Sequence, residues 1–387
     1  MQDIIYDYWA ATLQDGYIGN LIELVERVGS ARELYEMKTE HIKSKLNVTD
    51  RMVAHILSLR EGIDIEKNYE QMIYNNINYV NNDSEAYPFR LRNIPSKPYG
   101  LFVKGALPSE QRKSVAIVGS RECTEYGRLM AEYLGDRLAR RNIDIISGMA
   151  WGIDGISQMA AVKADGKSFA VLGCGVDVVY PRKNYKLYEQ LLINGNGVIS
   201  EYAPGTKAES RRFPPRNRII SGLCDVLIVV EARARSGTLI TVEMAMDQGR
   251  EIMVVPGRIT DPLSVGCLNL MKEGAVPVTS IEDVLDELNQ IDINKYSYAF
   301  EGKNNRVRSD KSAVAINKVN LKNYNLTQEE QLIYENIRIE PTSVEDISAK
   351  LNIGIEKSLQ AITRLEFEGL IKEVGSFSFV KNVTFTN

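Results

Sequence analysis

Residues 114–150 read SVAIVGSRECTEYGRLMAEYLGDRLARRNIDIISGMA: an unalternated apolar run, a glycine turn, a stretch with helical spacing, and a second apolar run. Strands covered on both faces carry such unbroken runs, and a strand–helix–strand repeat builds a parallel sheet through right-handed crossovers. The unit recurs along the chain. Runs at Val115–Val118 and Ile143–Ile146 are followed by others at Phe169–Leu172, Val198–Ile199, Val226–Val230, Ile252–Val255 and Ala275–Val278. The pattern predicts an α/β domain over residues 81–288, built on a doubly wound, mostly parallel sheet.

The flanks differ from this centre. Residues 1–80 place Leu21, Leu24, Val25 and Val28, then Val53, Ile56 and Leu57, at helical spacing, with breaks at Gly16, Gly19, Gly29 and Gly62. They read as a small helical domain, followed by a polar stretch at Asn75–Glu85 and then turns and a short strand over Tyr87–Gly105. Residues 289–325 lack proline, are rich in Asn and Lys, and read as a flexible linker. The last unit, 326–387, predicts helices at Gln328–Ile337, Val344–Leu351 and Gly354–Glu368 and a hairpin around Leu370–Val380, which is the winged-helix order. Its six Lys/Arg against ten Asp/Glu favour a protein-contact or regulatory role over a duplex-binding face, which needs clustered cations.

Composition narrows the chemistry. The chain has 387 residues, 44% hydrophobic and 25% charged, and 47 basic against 51 acidic residues give a net charge of −4. No overall basic field exists, so any nucleic-acid site is a local patch. The longest apolar runs, about five residues, fall far short of a membrane span. Asp3 and Asp7, with no basic group, argue against a secretory signal at the N-terminus. Cys123, Cys174, Cys224 and Cys267 are widely spaced, without a CxxC pair, and read as core residues of a reduced, cytoplasmic protein. His41 and His55 are the two histidines, both in the helical segment. Triad and multi-histidine metal chemistry are thereby excluded elsewhere, and no catalytic or metal site is expected.

Ligands of open parallel sheets bind beyond the carboxyl ends of the strands, so the loops there are the places to search. Gly119-Ser120-Arg121 follows the first run. The glycine admits close backbone approach, the serine donates to a phosphate oxygen, and the arginine offers a planar fork beside a helix N-terminus. Taken alone it equally describes a tight turn with a surface arginine, and Arg121 stands where the dinucleotide fingerprint needs its second glycine. Asp154, in Ser147–Asp154, reads first as an organiser of backbone amides and second as a ligand contact. The densest constellation spans 207–238; between Gly205 and Arg235 lie seven cations, including Lys207, Arg211, Arg212, Arg216 and Arg218, against three acids. Phe213 interrupts the basic run, Pro214-Pro215 stiffen the chain beyond it, and a helix is expected over Arg216–Cys224. Asn217 joins its first turn. Cations that track phosphates beside an aromatic ring that stacks a base suit a single strand. In Arg235-Ser236-Gly237-Thr238, Ser236 or Thr238 can cap a helix whose free amides cradle a phosphate.

Together these residues resemble the DNA-processing protein A (DprA/Smf) family. The matching stretches are Tyr99–Gly105, Val115–Arg121 with Tyr126-Gly127, Ser147–Asp154, Val171–Pro181, Ser200–Tyr202, Phe213–Ile220, Glu231, Ser236–Thr241 and Val255–Gly257. The resemblance implies an extended Rossmann-like domain that binds single-stranded DNA without hydrolysing it and needs no cofactor. It also implies a homodimer that protects incoming strands and brings a RecA-type recombinase onto them during natural transformation. The flanking units fit the family's N-terminal sterile-alpha-motif-like or helix-hairpin-helix-like bundle and its C-terminal winged helix. By motif match, Gly119, Ser120 and Arg121 line a phosphate pocket, and Phe213, Arg216, Asn217, Arg218, Ser236, Gly237 and Thr238 lie along the same basic surface as Arg211 and Arg212. One departure is Gln158, where the family usually has histidine. Glutamine keeps its hydrogen bonds but does not titrate near neutrality, and a packing role is the favoured reading.

Two other classes compete. Nucleoside-monophosphate phosphoribohydrolases of the lysine decarboxylase-like type carry a catalytic glutamate just after Gly-Gly-x-Gly-Thr, where this chain has Ile240 and Thr241. A nucleotide-sensing scaffold would be satisfied by a mononucleotide, whereas a strand binder gains affinity with length.

Overall fold

A computed structural model describes residues 2–15, 20–46, 48–62, 64–291, 326–337, 342–351, 353–368, 370–375 and 378–381. Amphipathic spacing at the start of the chain is realised as helices α1 (Gln2–Thr12), α2 (Leu21–Val28), α3 (Ala31–Glu36), α4 (Thr39–Leu46), α5 (Asp50–Glu61) and α6 (Ile65–Tyr74). Asn20, Ser30, Thr49 and Asp64 stop the preceding chain and accept first-turn amides of α2, α3, α5 and α6.

Then comes the sheet. Its strands are β1 (Ile77–Asn81), β2 (Gly100–Gly105), β3 (Ser114–Val118), β4 (Asp144–Ser147), β5 (Ser168–Leu172), β6 (Gly197–Ser200), β7 (Val226–Val229), β8 (Glu251–Val254) and β9 (Val276–Pro277). They are joined by α7 (Phe89–Arg92), α8 (Glu125–Ala139), α9 (Ile153–Lys163), α10 (Tyr185–Gln190), α11 (Phe213–Leu223), α12 (Gly237–Asp247) and α13 (Val265–Lys272), with α14 (Ile281–Gln290) last. Strand order is β1-β2-β6-β5-β4-β3-β7-β8-β9. From β6 to β9 all neighbours are parallel, and β1 and β2 add an antiparallel edge. The doubly wound, mostly parallel sheet read from the apolar runs is what forms. Each run is buried because helices cover both faces: α11, α12 and α13 pack on one side, and α8, α9 and α14 on the other.

The order reverses between β3 and β7, which lie side by side with Val115–Val118 opposite Val226–Val229. At the amino ends of these strands, Arg90, 3% exposed, donates Nε and Nη2 to Asp225 at 3.1 and 2.9 Å, and Asp225 accepts the Ser114 amide at 2.8 Å. That buried clamp closes one end of the reversal. The carboxyl ends remain for a ligand.

Two features differ from the sequence reading. The polar stretch Asn75–Glu85 contains β1, where Ile77 and Tyr79 alternate inward and pair with Lys104 and Phe102. As an edge strand it buries only alternate residues, so its asparagines conceal it. The boundary drawn at 80/81 therefore falls inside a strand. Moreover, helices α1–α6 and the sheet share one core, in which Trp9, Leu13, Leu34 and Ile56 are buried together with Phe102, Leu172 and Val198. The second feature is α11, which begins at Phe213, with the prolines in its first turn, where a missing amide costs nothing.

The chain divides into two compact units, Met1–Val307 and Arg308–Asn387. In the second, α15 (Gln328–Asn336), α16 (Val344–Leu351) and α17 (Ile355–Phe367) accompany β10 (Thr342–Ser343), β11 (Ile371–Gly375) and β12 (Ser378–Lys381), in sheet order β10-β12-β11. Thr327 and Glu330 form a capping box on α15. Most of the linker read at 289–325 lies outside the described residues. No helix among the described residues is long and apolar enough to cross a membrane.

Candidate functional site

At the carboxyl ends of β3 and β7 lies a cleft of about 480 Å³. Gly119, Ser120 and Arg121 form one wall, Phe213, Arg216 and Asn217 a second, and Arg233 with Ser236, Gly237 and Thr238 a third. Three separate loops thus converge, as the strand reversal dictates.

Each group is held in a different way. The turn after β3 is locked from below by Gly152. Its φ of +85° lets Ile153 donate to the Ser120 carbonyl at 3.2 Å, and a Cβ there would meet Arg121 backbone at 2.8 Å. Arg121 is exposed and forms no ion pair among the described residues. Its guanidinium sits 5.8 Å from the centre of the Phe213 ring. Arg216, 4% exposed, is fixed by donating Nη1 to the Gly148 and Val171 carbonyls at the ends of β4 and β5. Its carbon Cζ lies 5.7 Å from the same ring. Burial lowers the Arg216 pKa to about 10, so it stays a cation at neutral pH. Phe213 also stacks on Tyr180 at 5.4 Å and 29°. Two cations and two aromatic rings are therefore layered at one wall.

Asp154 accepts the Gly148 amide at 3.1 Å. Burial pushes its carboxyl up, against the pull of the Arg216 charge and that amide. It is the organiser the sequence suggested, and it is the lone carboxylate among the described lining residues. On the third wall Ser236 precedes α12 without a side-chain cap bond, and its buried Oγ has no partner among the described residues. At the start of α12 the Gly237 and Thr238 amides, both in the cleft wall, are therefore uncapped, whereas the Leu239 amide donates to the Ser236 carbonyl at 3.1 Å.

Nine of the twelve residues expected as DNA contacts meet here; Arg211, Arg212 and Arg218 do not. Arg218 is spent on structure. It donates two bonds to Glu201, at 2.7 and 2.6 Å, and others to the Ser96 and Pro215 carbonyls. Arg212 is buried, ion-paired to Glu209 at 3.1 Å and seated over the Tyr202 ring, and Arg211 pairs with Glu209 at 2.8 Å. Gln158 is wholly buried, accepting the Met149 amide and donating to Ser168 Oγ, so this position packs and does not reach the cleft.

The comparisons agree with this architecture. Residues 78–289 match the family described as DNA recombination-mediator protein A. The chain belongs to that family. It is 46% identical over 203 residues to DNA processing protein DprA of Streptococcus pneumoniae, covering 52% of this chain and 71% of that one. The Bacillus subtilis DprA is 41% identical over 214 residues, with 55% and 71% covered. The X-ray structure of the S. pneumoniae protein superposes with a TM-score of 0.62 at 36% identity, over 74% of this chain and 98% of that chain. A structure reporting the single-stranded DNA binding mode of Helicobacter pylori DNA processing protein A gives 0.50 at 26% identity, over 55% and 96%.

Within this chain, the family stretches acquire separate physical roles. Glu231 accepts from the Thr124 amide and hydroxyl and so holds the start of α8. Gly127 is needed there because a Cβ would stand 2.7 Å from Glu231 Oε1. Those residues build the turn and do not line the cleft. Tyr180 was missed as a cleft residue, although the aromatic in Val171–Pro181 was the available signal. Trp151, 49% exposed with Lys183 Nζ at 4.9 Å from its ring, follows the lining residue Ala150 but is not itself in the cleft wall.

Proposed function

We propose that the chain is a cytoplasmic, non-catalytic recombination mediator that binds single-stranded DNA in the cleft. In this reading it works as a homodimer, protects incoming strands and loads a RecA-type recombinase during natural transformation. The observation that carries the reading is the layering of Arg121 and Arg216 against Phe213, opposite the uncapped Gly237 and Thr238 amides of α12. Guanidinium groups and amides are phosphate donors, and stacked rings accept any base, so binding would be nearly independent of sequence. The single-stranded DNA binding mode described for the H. pylori relative supports it. Ile240 and Thr241 line the cleft where a phosphoribohydrolase needs its carboxylate. Asp154, held by Gly148 beside Arg216, is poorly placed to serve as a general acid or base. The acidic last unit reads as a winged helix used for protein contact.

The test is a mobility shift with single- and double-stranded oligonucleotides over a salt series, with particle mass measured alongside. Preference for single strands, affinity rising with length, and a twofold mass are expected. Equal affinity for a mononucleotide, or release of adenine from adenosine monophosphate, overturns the reading.

A further inference from the structure

A second concavity, of about 660 Å³, lies where the N-terminal helices meet the sheet domain within the first unit. Its lining includes Gln14 and Leu21 from the helical side and Lys97, Tyr202, Arg211 and Pro215 from the other. Lys97, Arg211, Arg212 and Arg218 bring four cations to it, and no carboxylate is among its described lining residues. Glu201, buried, pairs with Arg218, and Glu209, half-exposed, with Arg211 and Arg212, whereas Lys97 forms no ion pair among the described residues. The floor is partly apolar, with Leu21, Pro215 and Met244.

The groove and the cleft share one short segment. Ser210, Phe213 and Pro214 line the cleft, and Arg211, Arg212 and Pro215 line the groove. A polyanion leaving the Phe213 ring thus crosses a single turn of chain to reach a second cationic trough.

We propose that the groove is the continuation of the strand path, so that the N-terminal helices and the sheet domain grip successive nucleotides of one single strand. The inference rests on the strand-binding reading of the cleft. Charge complementarity and continuity with the cleft select a nucleic-acid strand as occupant: the trough offers cations for phosphates and apolar surface for bases.

The test compares wild type with a variant carrying Gln14→Glu and Lys97→Gln, neither of which lines the cleft. Oligothymidylates of about six and about twenty nucleotides bracket one site and a longer path. The variant is expected to bind the short strand as wild type does and the long strand about tenfold more weakly, with a salt slope shallower by about 0.7 for the lost cation. A long strand bearing photoreactive iodouracil at successive positions should cross-link both to peptides around residue 213 and to peptides around residue 97. Equal weakening at both lengths, no weakening at either, or cross-links confined to the cleft overturns the extended path. Failure of wild type to bind either strand overturns the cleft reading as well, which is a separable result.

Discussion

Arg218 and Glu201 face each other through two hydrogen bonds of 2.7 and 2.6 Å, with the carboxylate side chain 3% exposed and the guanidinium 12%. Removing the arginine would strand a buried carboxylate. Arg218→Ala is therefore expected to lower folding stability by about 3–5 kcal/mol, read by chemical denaturation. The fraction that folds should keep the wild-type salt dependence of binding to a strand of about six nucleotides, which the cleft alone accommodates. A shallower salt slope with that short strand would instead return Arg218 to the cleft contacts.

Arg121 is the opposite case: exposed, without an ion pair among the described residues, and poised over Phe213. Arg121→Ala should leave the thermal midpoint unchanged and make the salt slope of single-strand binding shallower by about 0.7. Fluorescence titration at several salt concentrations reads both the slope and the affinity.

Phe213 separates stacking from charge. Phe213→Leu keeps an apolar group and loses the flat face that Tyr180 and the two guanidiniums share. Single-strand affinity should fall by about 1–3 kcal/mol per stacked base at every salt concentration, leaving the slope unaltered. A changed slope with constant low-salt affinity would contradict that role.

Acidification should act through Asp144. Burial raises its pKa to about 6, outweighing the neighbouring Arg112 at 2.5 Å. The unfolded value is about 3.9, so the native state binds the proton more tightly and this group's contribution to stability falls as pH rises between these values. Relative to Asp144→Asn, wild type should gain about 2 kcal/mol as pH drops from about 7 to about 4. Parallel stability curves for the two proteins would refute this assignment.

How far the sequence could be read depended on the range of the physics involved. Strands β3, β4, β5, β7 and β8 announce themselves because a strand covered on both faces is apolar throughout. β1 does not, since its partner β2 covers one edge only and half its residues meet water. The gathering of Gly119–Arg121 with Phe213 and Ser236–Thr238 was legible because strand ends in a parallel sheet must share an edge. The split between Arg216 and Arg218 lay in local geometry: two residues apart on α11, they point to different sides of the helix. What could not be read is the identity of the partner each side meets. Glu201 is 17 residues away from Arg218, and only the folded sheet brings it near.

The rings of Tyr79 and Phe102, 5.2 Å apart, lie 6.3 and 6.0 Å from that of Tyr8 in the first helix. A shortened chain starting beyond the sixth helix would strip the cover from this aromatic floor and lay bare a flat, greasy sheet margin. Such a fragment should clump in solution, because the opening helices are the lid of their neighbour and not an appendage.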